Sequence, residues 1–232
     1  MNMLFPHVGP TTWARLVAFL PFIVFCMHVL FVCNGNVCRS VIAERLTRAL
    51  AVEHDLPYLT AESAGTRALV GFPVEPLAAQ TITGLGADAS NFRARRLKPE
   101  MIDKADLVLT MTEQIREHAI DLAFGAGART FTLLEAHRIA HVTGARTVAE
   151  LHRARNDLSL VGRENIADPV GLSAQAFCDV GDRIAEALVP LLLALAPHEQ
   201  PRWPHDERRG LVIRPGGAPA PLATFLAAQR TR

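Results

Sequence analysis

A short apolar run near the start of the chain leads directly into a polar loop and then into a helical pattern. Val29-Leu30-Phe31-Val32 is an unbroken β-branched and aromatic run, which is typical of a strand buried on both faces. Apolar residues recur at helical spacing over residues 40–52. A buried strand, a tight loop and a helix predict the first unit of a parallel α/β sheet, with the loop at the carboxyl end of the strand.

The same alternation continues along the chain. Further strands are predicted at residues 58–62, 107–111 and 130–134, and further helices at 75–84, from the end of the third strand to about 124, and at 135–142, 147–156 and 175–195. The pattern predicts one α/β domain over residues 27–196, built as a four-stranded, doubly wound parallel sheet with helices on both faces.

The composition excludes several classes of function. The formal net charge is only +1, so no basic patch indicates a nucleic-acid partner. Four cysteines, with no Cys-x-x-Cys pair and no matching histidine spacing, predict neither a disulfide scaffold nor a zinc site. These features favour a reduced, cytoplasmic protein without a metal or another cofactor.

Both ends of the chain differ from the predicted domain. Residues 16–32 are almost uniformly apolar, but a membrane span needs about 20 such residues, and this run contains Pro21 and ends in the first strand. We interpret residues 1–26 as an upstream extension before a start at Met27, in preference to a membrane-associated helix over residues 13–26. Residues 197–232 are rich in Pro, Gly and Arg, which predicts a disordered tail.

The loop after the first strand has the composition of an anion-binding cradle. Successive backbone N–H groups at the start of a helix form a concavity for phosphate, and Gly35 lets the backbone curl without a Cβ clash. The planar guanidinium of Arg39 can bind two phosphate oxygens at once. The predicted phosphate-binding residues are Asn34, Gly35, Asn36, Val37, Cys38, Arg39 and Ser40.

Cys33 lies at the centre of this loop and is the candidate nucleophile. A helix amino terminus and a neighbouring arginine favour the thiolate over the thiol, while Ser40 can donate its hydroxyl to the sulfur and Asn36 can brace the loop. An inert buried thiol is the alternative, which the Cys-x5-Arg-Ser spacing disfavours. Phosphoryl transfer to a thiolate also needs a proton donor for the leaving oxygen. Asp168 is the candidate acid, although Asp-Pro alone predicts only a turn.

The segment from Val29 to Ser40 resembles the signature of low-molecular-weight protein tyrosine phosphatases, whose fold one class of arsenate reductases shares. The resemblance covers roughly residues 28–195 and implies a flavodoxin-like sheet of strand order 2-1-3-4, a phosphocysteine on Cys33, Asp168 as general acid and no cofactor. Other segments that resemble family landmarks, in the family's order, are Glu62-Ser63-Ala64-Gly65-Thr66, Phe92-Arg93-Ala94-Arg95-Arg96-Leu97, Ala105-Asp106-Leu107-Val108-Leu109-Thr110-Met111 and Ala167-Asp168-Pro169.

The resemblance also sets expectations for the second thiol and for the substrate. It implies that Cys38 can form a reversible disulfide with Cys33, and a simple packing role is the equal alternative. Leu69 and Val170 occupy what look like positions of pocket aromatics, and Phe92 stands where the family often has histidine. Aromatic walls grip a phenyl ring, so the expected substrate is either a protein phosphotyrosine or a small phosphate ester.

Two other functions remain open from the sequence. An arsenate reductase with an internal thiol relay would need cysteines between Cys38 and Cys178, and none occurs there. A reductase that uses an external small thiol would need only Cys33. A non-catalytic anion-binding protein is the third reading, although such a protein would have no need of the thiol or of Asp168.

Overall fold

The computed structural model describes residues 26–157 and 165–196. Its single sheet has four parallel strands in the order β2-β1-β3-β4. This confirms the predicted flavodoxin-like sheet and its strand order. The strands are β1 (Met27–Cys33), β2 (Leu59–Gly65), β3 (Leu107–Thr110) and β4 (Thr130–Thr132).

Helices cover both faces of the sheet, as the alternating pattern predicted. The larger core joins the helices α1, α2, α5, α6 and α7 to one face, and the smaller core joins α3 and α4 to the other. In chain order they are α1 (Arg39–Glu53), α2 (Pro76–Gly84), α3 (Pro99–Lys104), α4 (Glu113–Leu122), α5 (Leu133–Thr143), α6 (Val148–Asp157) and α7 (Ala174–Leu195), with a short 3-10 turn at Ala126–Ala128.

The central strand β1 shows why the sheet is buried on both sides. Val29 and Phe31 lie in the larger core, whereas Leu30 and Val32 lie in the smaller one. All four side chains are fully buried, because successive residues of a strand point to opposite faces. The strand therefore delivers Cys33 to the carboxyl edge of the sheet from a position that packing fixes on both sides.

Three local features differ from the sequence-based prediction, and the first is that β2 ends at Gly65 rather than at residue 62. The fourth strand was predicted to reach residue 134 but ends at Thr132, because Thr132 begins α5 with a capping box. Its hydroxyl accepts the Glu135 N–H at 3.1 Å, and the Glu135 carboxylate accepts the Thr132 N–H at 3.1 Å. The short helix α3 was not predicted, although Pro99 at its first turn is a start signal.

The two terminal predictions lie largely outside the described residues. Residues 1–25 of the predicted extension and the predicted tail 197–232 are not described, and neither are residues 158–164. The domain limits 27–196 therefore stay a prediction. Within residues 26–157 and 165–196, no helix is both long and apolar enough to cross a membrane.

Candidate active site

The loop between β1 and α1 is held from the outside by the segment that follows β2. Four of its carbonyl oxygens accept backbone N–H groups of residues 66–75, which leaves the loop amides as the polar groups available to an anion. The four bonds run from Thr66 to Cys33 (3.0 Å), from Arg67 to Asn34 (2.9 Å), from Leu69 to Gly35 (3.0 Å) and from Glu75 to Val37 (2.9 Å).

The sulfur of Cys33 lies inside this loop and faces two polar groups. Ser40 Oγ is 2.9 Å from Cys33 Sγ, and the backbone N–H of Asn36 donates to the same sulfur at 3.2 Å. Arg39, the first residue of α1, follows within the same turn. Hydrogen-bond donors aimed at sulfur stabilise the anionic thiolate, which is the nucleophilic form.

Asn36 braces the loop from within, in a conformation that costs backbone energy. Its φ of 55° lies in the left-handed region, and its side chain is fully buried. Three hydrogen bonds compensate: Nδ2 donates to Ser40 Oγ at 3.0 Å and to Ser63 Oγ at 2.9 Å, and Oδ1 accepts the Arg95 N–H at 2.8 Å. The side chain thus links the loop to α1, to β2 and to the segment before α3.

Replacement of Asn36 by alanine tests this bracing. We expect Asn36→Ala to lower the free energy of unfolding by about 3 kcal/mol, because buried polar partners lose their hydrogen bonds while the left-handed backbone remains. Asn91→Ala is the matched control, since Asn91 has a φ of 52° but an exposed side chain. Urea unfolding of both variants separates the two contributions. Equal destabilisation would show that the buried hydrogen bonds do not brace the loop.

The hydrogen-bonded network continues beyond the residues that the sequence singled out. Ser63 Oγ donates to the buried carboxylate of Glu44 at 2.5 Å, and Arg48 forms an ion pair with Glu44 at 2.7 Å. Phe92, noted in place of histidine, is buried with the guanidinium of Arg45 5.6 Å from its ring centre. Sequence reasoning missed Glu44, although its place one helical turn after Ser40 was a usable signal.

Gly65 at the end of β2 lies close against the backbone of the loop. A Cβ added there would lie 2.5 Å from the carbonyl oxygen of Asn34 and 2.9 Å from the backbone N of Asn36. Both neighbours are backbone atoms, so a side chain cannot fit unless the loop moves. This close contact explains why a glycine stands at position 65, within the segment Glu62-Ser63-Ala64-Gly65-Thr66 that resembles a family landmark.

Gly65→Ala should therefore damage both stability and activity. We expect a loss of about 1–3 kcal/mol in the free energy of unfolding, as for other overpacked sites, and a loss of more than about tenfold in kcat/KM. Gly84→Ala is the control, because a Cβ at the end of α2 meets nothing within 4 Å. Thermal unfolding and hydrolysis of an aryl phosphate measure both effects. An active Gly65→Ala protein would show that the loop geometry is not critical.

Arg39 and Asp168 meet although 129 residues separate them in the sequence. The buried guanidinium of Arg39 donates from Nη1 to the Ile166 carbonyl at 2.9 Å and from Nη2 to Asp168 Oδ2. Asp168 also accepts the Val170 N–H at 3.3 Å, and its side chain is 43% exposed. The carboxylate therefore lies between the buried cation and the solvent, which is a suitable place for proton exchange.

One open cavity of about 210 Å³ brings the predicted catalytic residues together. Its lining includes the buried Cys33 and Arg39, the more exposed Asp168, and the half-exposed apolar side chains of Leu69 and Val170. Asn36 and Ser40 are fully buried and hold the loop without lining the cavity. Arg67, which the sequence analysis did not single out, also lines it. The lining residues are Cys33, Asn34, Gly35, Val37, Cys38, Arg39, Arg67, Leu69, Asp168 and Val170.

Cys38 differs from Cys33 in its electrostatic surroundings. Burial raises the pKa of the Cys38 thiol far above its ordinary value, and the nearby Cys33 raises this pKa further. Cys38 is therefore a neutral thiol at physiological pH. Both cysteines are free, and the disulfide between them stays a prediction.

Comparison with known proteins identifies the family of this chain. A family model described as low molecular weight phosphotyrosine protein phosphatase matches residues 28–150, more than half of the chain. The chain belongs to this family. It is a hydrolase that cleaves phosphate monoesters with an active-site cysteine, as the sequence predicted.

Individual relatives of this phosphatase include two kinds of enzyme. The chain is 33% identical over 106 residues to the low molecular weight protein-tyrosine-phosphatase Ptp of Acinetobacter johnsonii, a match that covers 46% of this chain and 71% of that protein. It is 36% identical over 106 residues to a protein-arginine-phosphatase of Geobacillus stearothermophilus, covering 46% of this chain and 68% of that protein.

A solved structure shows the same fold. The YwlE arginine phosphatase, in a cysteine-to-serine mutant with a phosphorylated active site serine, matches with a TM-score of 0.58 and 27% identity. The match covers 73% of this chain and 95% of that one.

Proposed function

We propose that this phosphatase removes phosphate from phosphotyrosine in proteins, with Cys33 as nucleophile, Arg39 as phosphate-binding cation and Asp168 as general acid. The observation that supports this assignment is the convergence of these three side chains in one cavity. A binding module would need the anion cradle alone, and neither a buried sulfur with two polar contacts nor an exposed carboxylate beside it.

The reaction takes two steps. In the first, Cys33 Sγ attacks phosphorus in line, the bond from phosphorus to the tyrosine oxygen breaks, and Asp168 gives its proton to that oxygen. The product is a phosphocysteine. In the second step Asp168 takes a proton from water, the water oxygen attacks phosphorus, and the phosphorus–sulfur bond breaks to release phosphate and the thiolate.

The loop and Arg39 stabilise the charge that the transferring phosphoryl group carries. Arg39 is 4% exposed, and the backbone N–H of Asn36 in the loop donates to the Cys33 sulfur. Preorganised donors in a site shielded from water stabilise such charge strongly, because they need not reorient during the reaction. No metal enters this scheme.

The walls of the cavity favour an aryl phosphate over a phosphorylated guanidinium. Leu69 and Val170 line the cavity with apolar surface that an aromatic ring can bury. Arg67, also in the lining, would repel a cationic leaving group such as the guanidinium of arginine. Among the lining residues that the structure describes, Asp168 is the only carboxylate, and it already pairs with Arg39. We further propose that the enzyme acts in the cytoplasm.

A substrate panel tests this function. The protein is assayed with a phosphotyrosine peptide, a phosphoarginine peptide, a small alkyl phosphate, p-nitrophenyl phosphate, and arsenate with a low-molecular-weight thiol. We expect kcat/KM to be highest for the phosphotyrosine peptide and for p-nitrophenyl phosphate. A higher value for phosphoarginine would refute the tyrosine assignment, and arsenate reduction without ester hydrolysis would support the reductase. Phosphate binding without hydrolysis of any ester would support the anion-binding role.

A further inference from the structure

A second cavity of about 310 Å³ lies directly beside the catalytic one. The two share Asn34, Arg39 and Arg67, so they form neighbouring compartments along one surface. The remaining wall comes from Thr66 after β2 and from the first turns of α4. The lining residues are Asn34, Arg39, Thr66, Arg67, Thr112, Gln114, Ile115 and His118.

The lining of this second cavity suits an anion. Its described lining residues include two arginines, a histidine and two side-chain amides, and none of these described residues carries a carboxylate. Arg67 is exposed, its backbone N–H is fixed to Asn34 O at 2.9 Å, and no described carboxylate forms an ion pair with its guanidinium. Thr66 donates its hydroxyl to Asn34 Oδ1 at 3.2 Å, which leaves the NH₂ group of that amide to donate elsewhere.

The start of α4 adds a favourable field but few free donors. The Glu113 N–H donates to Asn165 Oδ1 at 2.7 Å, and the Ile115 N–H donates to the capping hydroxyl of Thr112 at 3.3 Å. The partial positive charge of the helix amino terminus still favours a nearby anion. Binding would therefore rest on the side chains of Arg67, Gln114 and His118, which are all exposed.

We propose that the second cavity is a subsite for another anionic group of the substrate, a carboxylate or a second phosphate within a few residues of the phosphotyrosine. This proposal rests on the proposed function, because the shared residues place the occupant next to the scissile phosphate. Arg67 lines both compartments, whereas Leu69 and Val170 line only the catalytic one. A substrate peptide would thus contact apolar side chains in the catalytic cavity and cationic side chains in the second cavity.

Paired peptides test the subsite. In one phosphotyrosine peptide, each of the three residues on either side of the phosphotyrosine is changed in turn to Gln, Glu or phosphoserine, and appearance of tyrosine is followed. We expect Glu or phosphoserine to raise kcat/KM by about tenfold over Gln at one or two positions, because charge-assisted hydrogen bonds are about twice as strong as neutral ones. A larger gain with phosphoserine identifies a phosphate site, and an equal gain identifies a carboxylate site.

A variant that introduces a carboxylate into the second cavity links the gain to this cavity. His118→Glu should abolish or invert the preference for the acidic peptide, measured as its kcat/KM divided by that of the neutral peptide. Any effect of the substitution on turnover that both peptides share cancels in this ratio. His54→Glu is the control, because His54 is exposed at the far end of α1, about 22 Å along the helix from the loop; it should keep the wild-type ratio.

The outcomes separate the subsite from the proposed function. Equal rates for acidic and neutral peptides at every position would refute the subsite alone, as would a ratio that His118→Glu leaves unchanged. A loss of the ratio in both variants would refute the cavity as its source, since any distant charge would then act alike. Failure to hydrolyse p-nitrophenyl phosphate as well would refute the proposed function, and the subsite with it.

Discussion

Cys33→Ser is expected to lower kcat/KM for an aryl phosphate by about 10⁴-fold or more, the scale on which loss of a catalytic nucleophile acts. The Asn36 N–H and Ser40 Oγ lie 3.2 and 2.9 Å from the sulfur and can stabilise a thiolate. They cannot ionise a serine hydroxyl to a useful extent at neutral pH. The cradle itself loses nothing, since Arg39 and the loop amides are unchanged. Steady-state hydrolysis of p-nitrophenyl phosphate measures the loss.

The same variant should still bind inorganic phosphate. Isothermal titration calorimetry of Cys33→Ser is expected to give an affinity within about tenfold of the wild type, because one charge-assisted contact at most is changed. Cys178→Ser is the control, since Cys178 is an exposed cysteine on α7 outside the catalytic cavity. Full activity in Cys33→Ser, or an equal loss in Cys178→Ser, would contradict the assignment of the nucleophile.

The sequence predicted the parts of this site that are local in the chain. Val29-Leu30-Phe31-Val32 is typical of a strand buried on both faces, and the loop and α1 follow it directly in the chain. The sequence therefore predicted where Cys33 and Arg39 lie. The sequence did not predict where β4 ends, because a threonine such as Thr132 can either extend a strand or cap a helix. The capping bonds with Glu135 decide between the two, and a periodic pattern does not weigh such bonds.

The parts that depend on distant segments could not be read from the pattern. Glu44 contributes to the site by accepting a hydrogen bond from Ser63, which lies 19 residues away on another element. Arg67 lies in a turn whose direction is set by backbone bonds to the loop. Asp168 was found through the resemblance, because the Asp-Pro pair alone predicts a turn. Its place beside Arg39 is set by two further contacts: Ile166 N–H donates to Met111 O at 2.8 Å, and Asn165 Oδ1 accepts the Glu113 N–H at the start of α4 at 2.7 Å.

Asp168→Asn should reduce hydrolysis by an amount that depends on the leaving group. A positioned general acid contributes about 10²–10⁴-fold to a reaction whose leaving oxygen is strongly basic. We therefore expect a loss of about a thousandfold for phosphotyrosine and unsubstituted phenyl phosphate, and less than about tenfold for p-nitrophenyl phosphate, whose leaving group departs readily as an anion. Steady-state kcat/KM is measured for both proteins across a series of substituted phenyl phosphates. The slope of the loss in kcat/KM against the basicity of the leaving group is the quantity tested.

The slope separates two roles that the structure gives to the same carboxylate. Asp168 pairs with Arg39, so its replacement could act by displacing the guanidinium from the phosphate. Such a positioning effect would lower kcat/KM equally for every ester, because all of them present the same phosphoryl group to Arg39. Asparagine keeps the shape and one oxygen of the side chain, which limits that effect. Asp179→Asn controls for the loss of a surface charge. Asp179 lies on the exposed surface of α7, where its carboxylate accepts a hydrogen bond from Gln175 Nε2 at 2.8 Å. A uniform loss across the series would assign Asp168 to positioning and leave the proton donor unassigned.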